Sequence, residues 1–197
     1  EYIHMGGDEC YHGYWAENAG VQEFMKKNSL KDTKELQAYF VRRVNDIIAS
    51  KGKKMIGWDE ILDGGGLPKS TAVMSWRGMA GGIKAAKDGH YVVMTPTTYA
   101  YLDYTQGDKS VENTIYADLS LEKSYELEPT PEGVDPKYIL GGQGNLWTEA
   151  IPTLQYAYYM TYPRALAISE KLWSPKNAAS FPDFLNRLEN TFGRFDQ

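Results

Sequence analysis

The sequence predicts an α/β fold, and more closely the C-terminal portion of a (β/α)8 barrel of the TIM-barrel type. Short apolar segments alternate with segments of helical periodicity, which is the order that builds a parallel sheet. Five such segments lead into acids or large aromatic residues, and barrel active sites are built from the loops after the strands. A complete barrel takes about 250 residues, whereas this chain has 197. We therefore expect residues 1–197 to be one portion of a barrel, covering about strands four to eight.

The first predicted strand opens the chain and leads into Gly6-Gly7-Asp8-Glu9. Glycine tolerates backbone conformations that other residues avoid, so the chain is expected to turn where the two acids emerge. Unless the strand end is irregular, Asp8 and Glu9 would point to opposite faces and do different jobs. An Asp-Glu pair after two glycines is also common in surface turns, and it gains weight here from the rest of the chain.

The clearest predicted helix begins at Asp32, and Glu35 follows three residues later in the spacing of a capping box. Apolar residues then recur at helical intervals until Gly52, where the helix is expected to stop. A shorter helix is expected over residues 21–27.

Strand, helix and strand repeat in parallel order through the middle of the chain. Strands are predicted at residues 53–60 and 71–78, with a glycine-rich loop between them. A helix over residues 81–87 leads to a fourth strand at residues 91–95.

A long polar stretch, residues 96–136, precedes the last predicted strand at residues 138–149. Loops of this length inside a compact unit are usually functional. Two helices, over residues 163–173 and 182–195, are predicted to close the chain, and the second carries an apolar stripe.

The composition limits the classes of partner. Apolar residues make up 42% and charged residues 24% of the chain, as in soluble globular proteins. The net charge of −5 argues against nucleic acid as a partner. No apolar run approaches the roughly 18 residues that a membrane-spanning helix needs. The aromatic content of 13% favours a carbohydrate site or a well-filled core, and the single cysteine excludes an intramolecular disulfide.

Several motifs together resemble the catalytic domain of β-N-acetylhexosaminidases, glycoside hydrolase family 20. The first and fifth motifs are the most specific, and the set covers nearly the whole chain in the order of the family. In sequence they are His4-Met5-Gly6-Gly7-Asp8-Glu9, Gly57-Trp58-Asp59-Glu60, Ser75-Trp76-Arg77-Gly78, Tyr101-Leu102-Asp103, Asn145-Leu146-Trp147-Thr148-Glu149, and Tyr162-Pro163-Arg164 with Leu172-Trp173-Ser174.

The resemblance implies exo-hydrolysis of terminal β-linked N-acetylglucosamine or N-acetylgalactosamine from glycans, by a substrate-assisted retaining mechanism without metal or cofactor. Glu9 would protonate the leaving glycosidic oxygen and later take a proton from water. Asp8 would hold the acetamido N–H of the substrate, and Tyr101 would donate a hydrogen bond to the acetamido oxygen.

The resemblance also implies that five further residues bind the sugar. Trp58, Trp76 and Trp147 would form the walls of the pocket, and Asp103 and Glu149 would accept hydrogen bonds from sugar hydroxyls. The resemblance also implies a secreted, periplasmic or lysosomal location.

Other interpretations remain open at this point. Asp59-Glu60 is a second acid pair at a strand end, and an ordinary two-carboxylate β-glycosidase could use it instead. The arginine that the family supplies from its early strands has no counterpart here, so a non-catalytic carbohydrate-binding fragment is another hypothesis. Exposed barrel edges would invite self-association.

Three residues outside the proposed site receive structural interpretations. His4 is interpreted as a hydrogen-bonded barrel histidine rather than a proton carrier. Arg164 and Glu170 are interpreted as packing or ion-pairing residues.

Overall fold

The computed structural model describes residues 1–112 and 116–194. Within these residues five strands form one sheet in chain order. They are β1 (Tyr2–His4), β2 (Lys54–Trp58), β3 (Ala72–Ser75), β4 (Val92–Met94) and β5 (Ile139–Gly142). The three registered pairs, β1 with β2, β2 with β3 and β3 with β4, are all parallel. The prediction of a partial α/β barrel with about five parallel strands is confirmed.

Helices alternate with these strands. They are α1 (Gly13–Glu17), α2 (Ala19–Lys27), α3 (Thr33–Ser50), α4 (Ala80–Lys87), α5 (Thr97–Ala100), α6 (Leu121–Tyr125), α7 (Leu154–Thr161), α8 (Arg164–Trp173) and α9 (Phe181–Glu189), with 3-10 turns at Asp59–Leu62, Pro136–Tyr138 and Phe192–Arg194. The last predicted helix is therefore shorter than expected, and its final residue, Phe195, lies outside the described residues. In the described part of the chain, no helix is both long and apolar enough to cross a membrane.

The start of α3 follows from its sequence. The Asp32 side chain accepts a hydrogen bond of 2.8 Å from the backbone N–H of Glu35 and so satisfies one free donor of the first turn. The Glu35 carboxylate accepts the N–H of Lys31, also at 2.8 Å, rather than that of Asp32. The predicted helix start is confirmed, and the reciprocal half of the capping box is shifted by one residue.

The chain divides into two compact units. The first unit comprises residues 1–94 and 130–140, and its core joins α3 and α4 to the sheet. All four residues of β3 are buried, which is typical of a parallel strand covered on both faces.

The second unit comprises the described parts of residues 95–129 and 141–197. It holds two apolar clusters. Ala100, Leu102, Leu127 and Ile168 form one of them, and Tyr125, Ala167, Phe184 and Leu188 form the other.

Two differences from the sequence-based elements concern the end of the second strand and the segment after residue 150. The second strand was expected to continue to residue 60, but it ends at Trp58 because Asp59 begins a 3-10 turn. The sequence predicts no element directly after residue 150, yet this segment forms α7, where the Thr153 hydroxyl accepts the N–H of Tyr156 at 3.1 Å.

Candidate active site

The carboxyl ends of β1, β2 and β3 lie along one edge of the sheet, because the three strands are parallel and paired in register. The pairing continues past the end of β1. The Met5 N–H donates to the Ile56 carbonyl at 2.9 Å, and the Trp58 N–H donates to the Gly6 carbonyl at 3.0 Å. The first two predicted site motifs are thus joined by backbone hydrogen bonds.

The backbone leading to the first acid pair is irregular. Gly6 and Gly7 have positive φ angles of 76° and 103°, and Glu9 itself has a φ of 48°. A Cβ atom at Gly7 would lie 2.5 Å from Cγ2 of Ile61, so only glycine fits there. Asp8 and Glu9 are both exposed. Because β1 has already ended and the backbone here is irregular, strand alternation does not separate the roles of these two acids.

His4 is tied into this edge as a structural histidine. Its Nδ1 accepts the N–H of Gly6 at 3.0 Å, and its ring meets that of Trp58 edge to face at 5.2 Å. Burial lowers the pKa of His4, against the charge of Asp8, which raises it. A neutral Nδ1 is what acceptance from Gly6 requires, so these contacts agree with the interpretation from the sequence.

The second acid pair is engaged in holding the loop after β3. Asp59 Oδ2 accepts the backbone N–H of Trp76 at 3.2 Å, and Oδ1 accepts Nε of Arg77 at 2.6 Å. Only 2% of the Asp59 side chain is exposed, against 45% for Arg77. Glu60 Oε2 accepts the indole Nε1–H of Trp76 at 2.9 Å. Both carboxylates therefore orient Trp76 and its loop.

The Glu60 side chain is largely buried, with 10% of its surface exposed. Burial raises the pKa of its carboxyl, and the hydrogen bond from Trp76 opposes this shift. The sequence singled out Glu60 only as a possible rival acid. The tryptophan at the end of the next strand, Trp76, was the sequence signal that could have indicated this hydrogen bond.

In the second unit, Tyr101 and Asn145 form a parallel bridge. The Leu102 N–H donates to the Asn145 carbonyl at 2.6 Å, and the Asn145 N–H donates to the Ala100 carbonyl at 2.8 Å. The rings of Tyr101 and Trp147 are 6.4 Å apart. Two of the predicted site motifs are therefore held side by side.

The surroundings of Tyr101 favour its neutral phenol over the phenolate. Burial raises the pKa of Tyr101 well above its ordinary value, while hydrogen bonds with Trp147 and Asn145 act in the opposite direction. A neutral phenol can donate a hydrogen bond, which a phenolate cannot.

Asp103 is a buried acid. Burial raises the pKa of Asp103, and the negative charge of Glu149 adds to this shift. The backbone N–H groups of Asp103 itself and of Trp147 favour the charged form. Among the described residues, however, no donor meets either carboxylate oxygen at the distance and angle of an ordinary hydrogen bond. Glu149 itself is exposed, as is Trp147 with 40% of its surface accessible.

Arg164, interpreted from the sequence as a packing or ion-pairing residue, organises the surrounding backbone through hydrogen bonds. It is fully buried, and its guanidinium donates to the carbonyls of Leu102, Tyr104, Leu119 and Met160 at 2.6–3.0 Å. Burial lowers the pKa of Arg164 to about 10. Two of these carbonyls flank Asp103 in sequence, so Arg164 fixes the backbone that carries this acid. A charged residue at a helix start gives no sequence signal for such burial.

Glu170 forms ionic contacts, in agreement with its interpretation. Its carboxylate accepts two hydrogen bonds from Nη2 of Arg187 and one from the hydroxyl of Tyr125. It links α8 to α9 and has no contact with the candidate site among these hydrogen bonds.

The predicted site residues fall into two sets, one in each compact unit. The first unit carries the acid pair and two of the indoles, namely Asp8, Glu9, Trp58 and Trp76. The second unit carries the phenol, the buried acid and the remaining two residues, namely Tyr101, Asp103, Trp147 and Glu149. Within residues 1–112 and 116–194, no three His, Cys, Asp or Glu side chains are grouped so that they could hold a metal ion.

A parallel α/β sheet with acids and indoles after its strands is the arrangement of a barrel-type catalytic domain. The family description "Glycosyl hydrolase family 20, catalytic domain" matches residues 1–176. The chain belongs to glycosyl hydrolase family 20, as the motifs indicated.

Individual relatives agree with this assignment. The beta-hexosaminidase of Porphyromonas gingivalis is 44% identical over 99% of the chain, and that of Vibrio furnissii is 34% identical over 85%. Among solved structures, an exo beta-N-acetylglucosaminidase from Vibrio harveyi in complex with N-acetylglucosamine matches 99% of the chain with a TM-score of 0.87 and 34% identity.

The chain spans only part of each relative. It covers 26% of the P. gingivalis protein, 28% of the V. furnissii protein and 32% of the V. harveyi structure. The activity of these whole proteins is therefore a proposal for the present chain.

Proposed function

We propose that this protein is an exo-hydrolase that removes terminal β-linked N-acetylglucosamine or N-acetylgalactosamine from glycans. The family supports this proposal. The single structural observation that supports it most is the acid pair Asp8-Glu9, which follows two left-handed glycines at the sheet edge that also bears Trp58 and Trp76. The related V. harveyi enzyme is described as an exo beta-N-acetylglucosaminidase.

In the proposed reaction the nucleophile is the substrate's own acetamido oxygen, which attacks the anomeric carbon. Glu9 gives its proton to the glycosidic oxygen as that bond breaks, and an oxazolinium ion forms. Asp8 accepts a hydrogen bond from the acetamido N–H and stabilises the positive charge. Water then attacks the anomeric carbon, Glu9 takes its proton, and the acetamido group is restored.

Substrate recognition in this proposal uses the neutral phenol and the buried acid. Tyr101 donates to the acetamido oxygen and holds it in line for attack, which removes part of the entropic barrier. Trp58, Trp76 and Trp147 contact the apolar faces of the sugar and the acetyl methyl group. Asp103 and Glu149 accept hydrogen bonds from sugar hydroxyls. The buried oxygens of Asp103, which have no partner of ordinary geometry among the described residues, support this role, because unpaired buried acceptors are costly.

The test replaces single acids by the corresponding amides in the protein as it exists in its organism. Glu9→Gln is expected to abolish cleavage of glycosides with poor leaving groups, and Asp8→Asn to lower kcat about a hundredfold or more. Glu23→Gln and Asp46→Asn, which change exposed acids of α2 and α3 in the same way, serve as matched controls. Near-normal cleavage of a glycan with a sugar leaving group by Glu9→Gln, or of an aryl N-acetylglucosaminide by Asp8→Asn, would overturn the assignment.

The two alternative functions make different predictions. A two-carboxylate glycosidase using Asp59 or Glu60 would cleave an aryl glucoside that lacks the acetamido group about as well. The contacts of Asp59 with Arg77 and with the N–H of Trp76 argue against this role. A non-catalytic carbohydrate-binding protein would bind N-acetylglucosamine in calorimetry without any turnover.

The proposed partner is a glycan with a terminal N-acetylhexosamine. Self-association through unpaired strand edges is a further part of the proposal. Light scattering across a hundredfold range of protein concentration tests it, and a constant monomer mass would exclude it.

A further inference from the structure

We propose that Gln37 and His12 are positioning residues that hold the acid pair Asp8-Glu9 in its working geometry through the carbonyl of Gly7. This inference rests on the proposed function, because it assigns a role relative to those acids. Neither residue belongs to the motifs that indicated the family.

A chain of hydrogen bonds leads from α3 to the residue before Asp8. The Gln37 amide Nε2 donates to the Gly7 carbonyl at 3.0 Å. The other end of that amide, Oε1, lies 2.7 Å from Nε2 of His12. Nδ1 of His12 lies 3.2 Å from the hydroxyl of Thr33. The chain thus connects the first turn of α3 to the turn that carries both acids.

Chemistry fixes the direction of each hydrogen bond. The Gly7 carbonyl can only accept, so the NH2 group of Gln37 must face it and the amide oxygen must face His12. His12 must then donate from Nε2, and in the neutral ring the Thr33 hydroxyl donates to Nδ1. Each group in the chain has a partner of the correct type, so the orientation of the Gln37 amide is determined.

The two glycines leave the backbone before Asp8 free to adopt several conformations, so a contact is required to select one. Gly6 and Gly7 lie in left-handed conformations, and glycine has access to many others, so the sequence alone does not select one backbone path. A hydrogen bond to the Gly7 carbonyl fixes the peptide plane between Gly7 and Asp8. A misplacement of about 1 Å at reacting groups can lower the rate about a hundredfold.

The residues that supply the hydrogen bond to Gly7 are held in place by their own contacts. Gln37 lies on the 18-residue helix α3 beside the buried residue Ala38. His12 stacks on Trp15 with ring centroids 5.1 Å apart. A cavity of about 60 Å³ borders both Gln37 and His12. Because space is left around the amide, we infer that hydrogen bonds rather than packing fix its orientation.

The primary test is Gln37→Glu, which keeps the shape and the acceptor for His12 but loses the donor to Gly7. We expect kcat to fall about tenfold or more with KM within about twofold, since the acids move while the sugar-binding walls do not. Asn190→Asp is the matched control, because the Asn190 amide also donates to a backbone carbonyl, that of Asn186, at 2.9 Å. That control is expected to stay within about twofold of the natural protein.

A leaving-group comparison separates positioning from general destabilisation. If Glu9 is displaced, Gln37→Glu should lose several times more activity on a sugar leaving group, which needs protonation, than on an activated aryl leaving group. A second variant, His12→Phe, keeps the stacking on Trp15 and removes the donor to Gln37, and a smaller loss of the same pattern is expected. Equal losses on both substrates, or no loss in either variant, would overturn the inference.

A crystal structure of Gln37→Glu provides a readout that does not depend on turnover. We expect the Gly7 carbonyl and the backbone of Asp8 to be displaced from their original positions, and an unchanged turn would overturn the positioning role. If the natural protein shows no turnover, the proposed function fails, while this structural comparison still decides whether Gln37 holds the turn.

Discussion

Glu60 accepts a 2.9 Å hydrogen bond from the indole nitrogen of Trp76, so an acid after one strand holds the aromatic side chain after the next. Asp59, its neighbour in sequence, accepts the backbone N–H of the same tryptophan. The two acids that looked like a rival catalytic pair therefore fix one residue of the proposed sugar pocket at both its backbone and its ring.

This relationship predicts a graded loss of substrate binding. Glu60→Leu removes the acceptor and should raise KM about tenfold, because a hydrogen bond to a charged group contributes about 1.5–3 kcal/mol. Glu60→Gln keeps an acceptor oxygen and should raise KM less. Steady-state kinetics with an aryl N-acetylglucosaminide measures both variants. A KM unchanged in Glu60→Leu would show that the indole stays in position without this contact.

The same carboxyl predicts a dependence of stability on pH. Burial raises the pKa of Glu60 above its ordinary 4.5, so between these two values the folded protein holds a proton that the unfolded chain has released. The contribution of Glu60 to stability is therefore complete below pH 4.5 and is lost as the pH rises through the folded value. Relative to the natural protein, Glu60→Gln should become more stable as the pH rises from 4.5.

Urea unfolding of both proteins at several pH values measures this difference. Asp88→Asn provides a control of opposite sign, because Lys84 lowers the pKa of Asp88 below its ordinary 3.8. In that variant the loss relative to the natural protein should grow as the pH rises toward 3.8. A Glu60→Gln difference that does not change with pH would contradict the assigned shift.

Arg164 predicts a large loss of stability. Arg164→Met leaves the carbonyls of Leu102 and Leu119, among others, without their donor in a fully buried site, and should cost about 3–5 kcal/mol. Arg187→Met, which breaks the exposed ion pair with Glu170, is the matched control. It should change the midpoint of the unfolding transition only slightly. Thermal and urea unfolding measure both. Similar losses in the two variants would show that the buried carbonyls find other donors.

The sequence was sufficient for features that depend on local pattern. The cap at Asp32 follows from the geometry of a helix start and needs no tertiary information. The strands were found because parallel strands are short apolar runs, and β3 is buried along its whole length. The assignment of Asp8 and Glu9 relied on the family motif, since no local rule ranked them above Asp59 and Glu60.

The remaining features depend on long-range contacts, which local patterns do not encode. Gln37 lies 30 residues from the carbonyl that it contacts, and an isolated glutamine on a helix is usually a surface residue. Arg164 contacts a carbonyl 62 residues away. The turn at Asp59 replaced the end of a predicted strand because its carboxylate is satisfied by Arg77 and Trp76, which belong to the next strand's loop.

Replacing Gly7 by alanine is expected to cause a steric clash with Ile61, which a double-mutant cycle can measure. Gly7→Ala adds a Cβ atom 2.5 Å from Cγ2 of Ile61, in a backbone conformation with φ of 103°. Gly52→Ala is the control, because its φ is 67° but nothing lies within 4 Å of the added atom. We expect Gly52→Ala to cost about 1–2 kcal/mol from backbone strain alone and Gly7→Ala to cost clearly more, with a fall in kcat.

The excess cost of Gly7→Ala should come from Ile61. Ile61→Ala removes the atom that the new methyl group meets, and by itself should cost about 2–5 kcal/mol because Ile61 is buried. The double variant should then be less destabilised than the sum of the two single changes, since the clash is absent from it. Urea unfolding of all four proteins gives the coupling energy. A coupling energy of zero would mean that the turn moves away from Ile61, and in that case the loss of kcat should be the larger effect, because the same movement displaces Asp8 and Glu9.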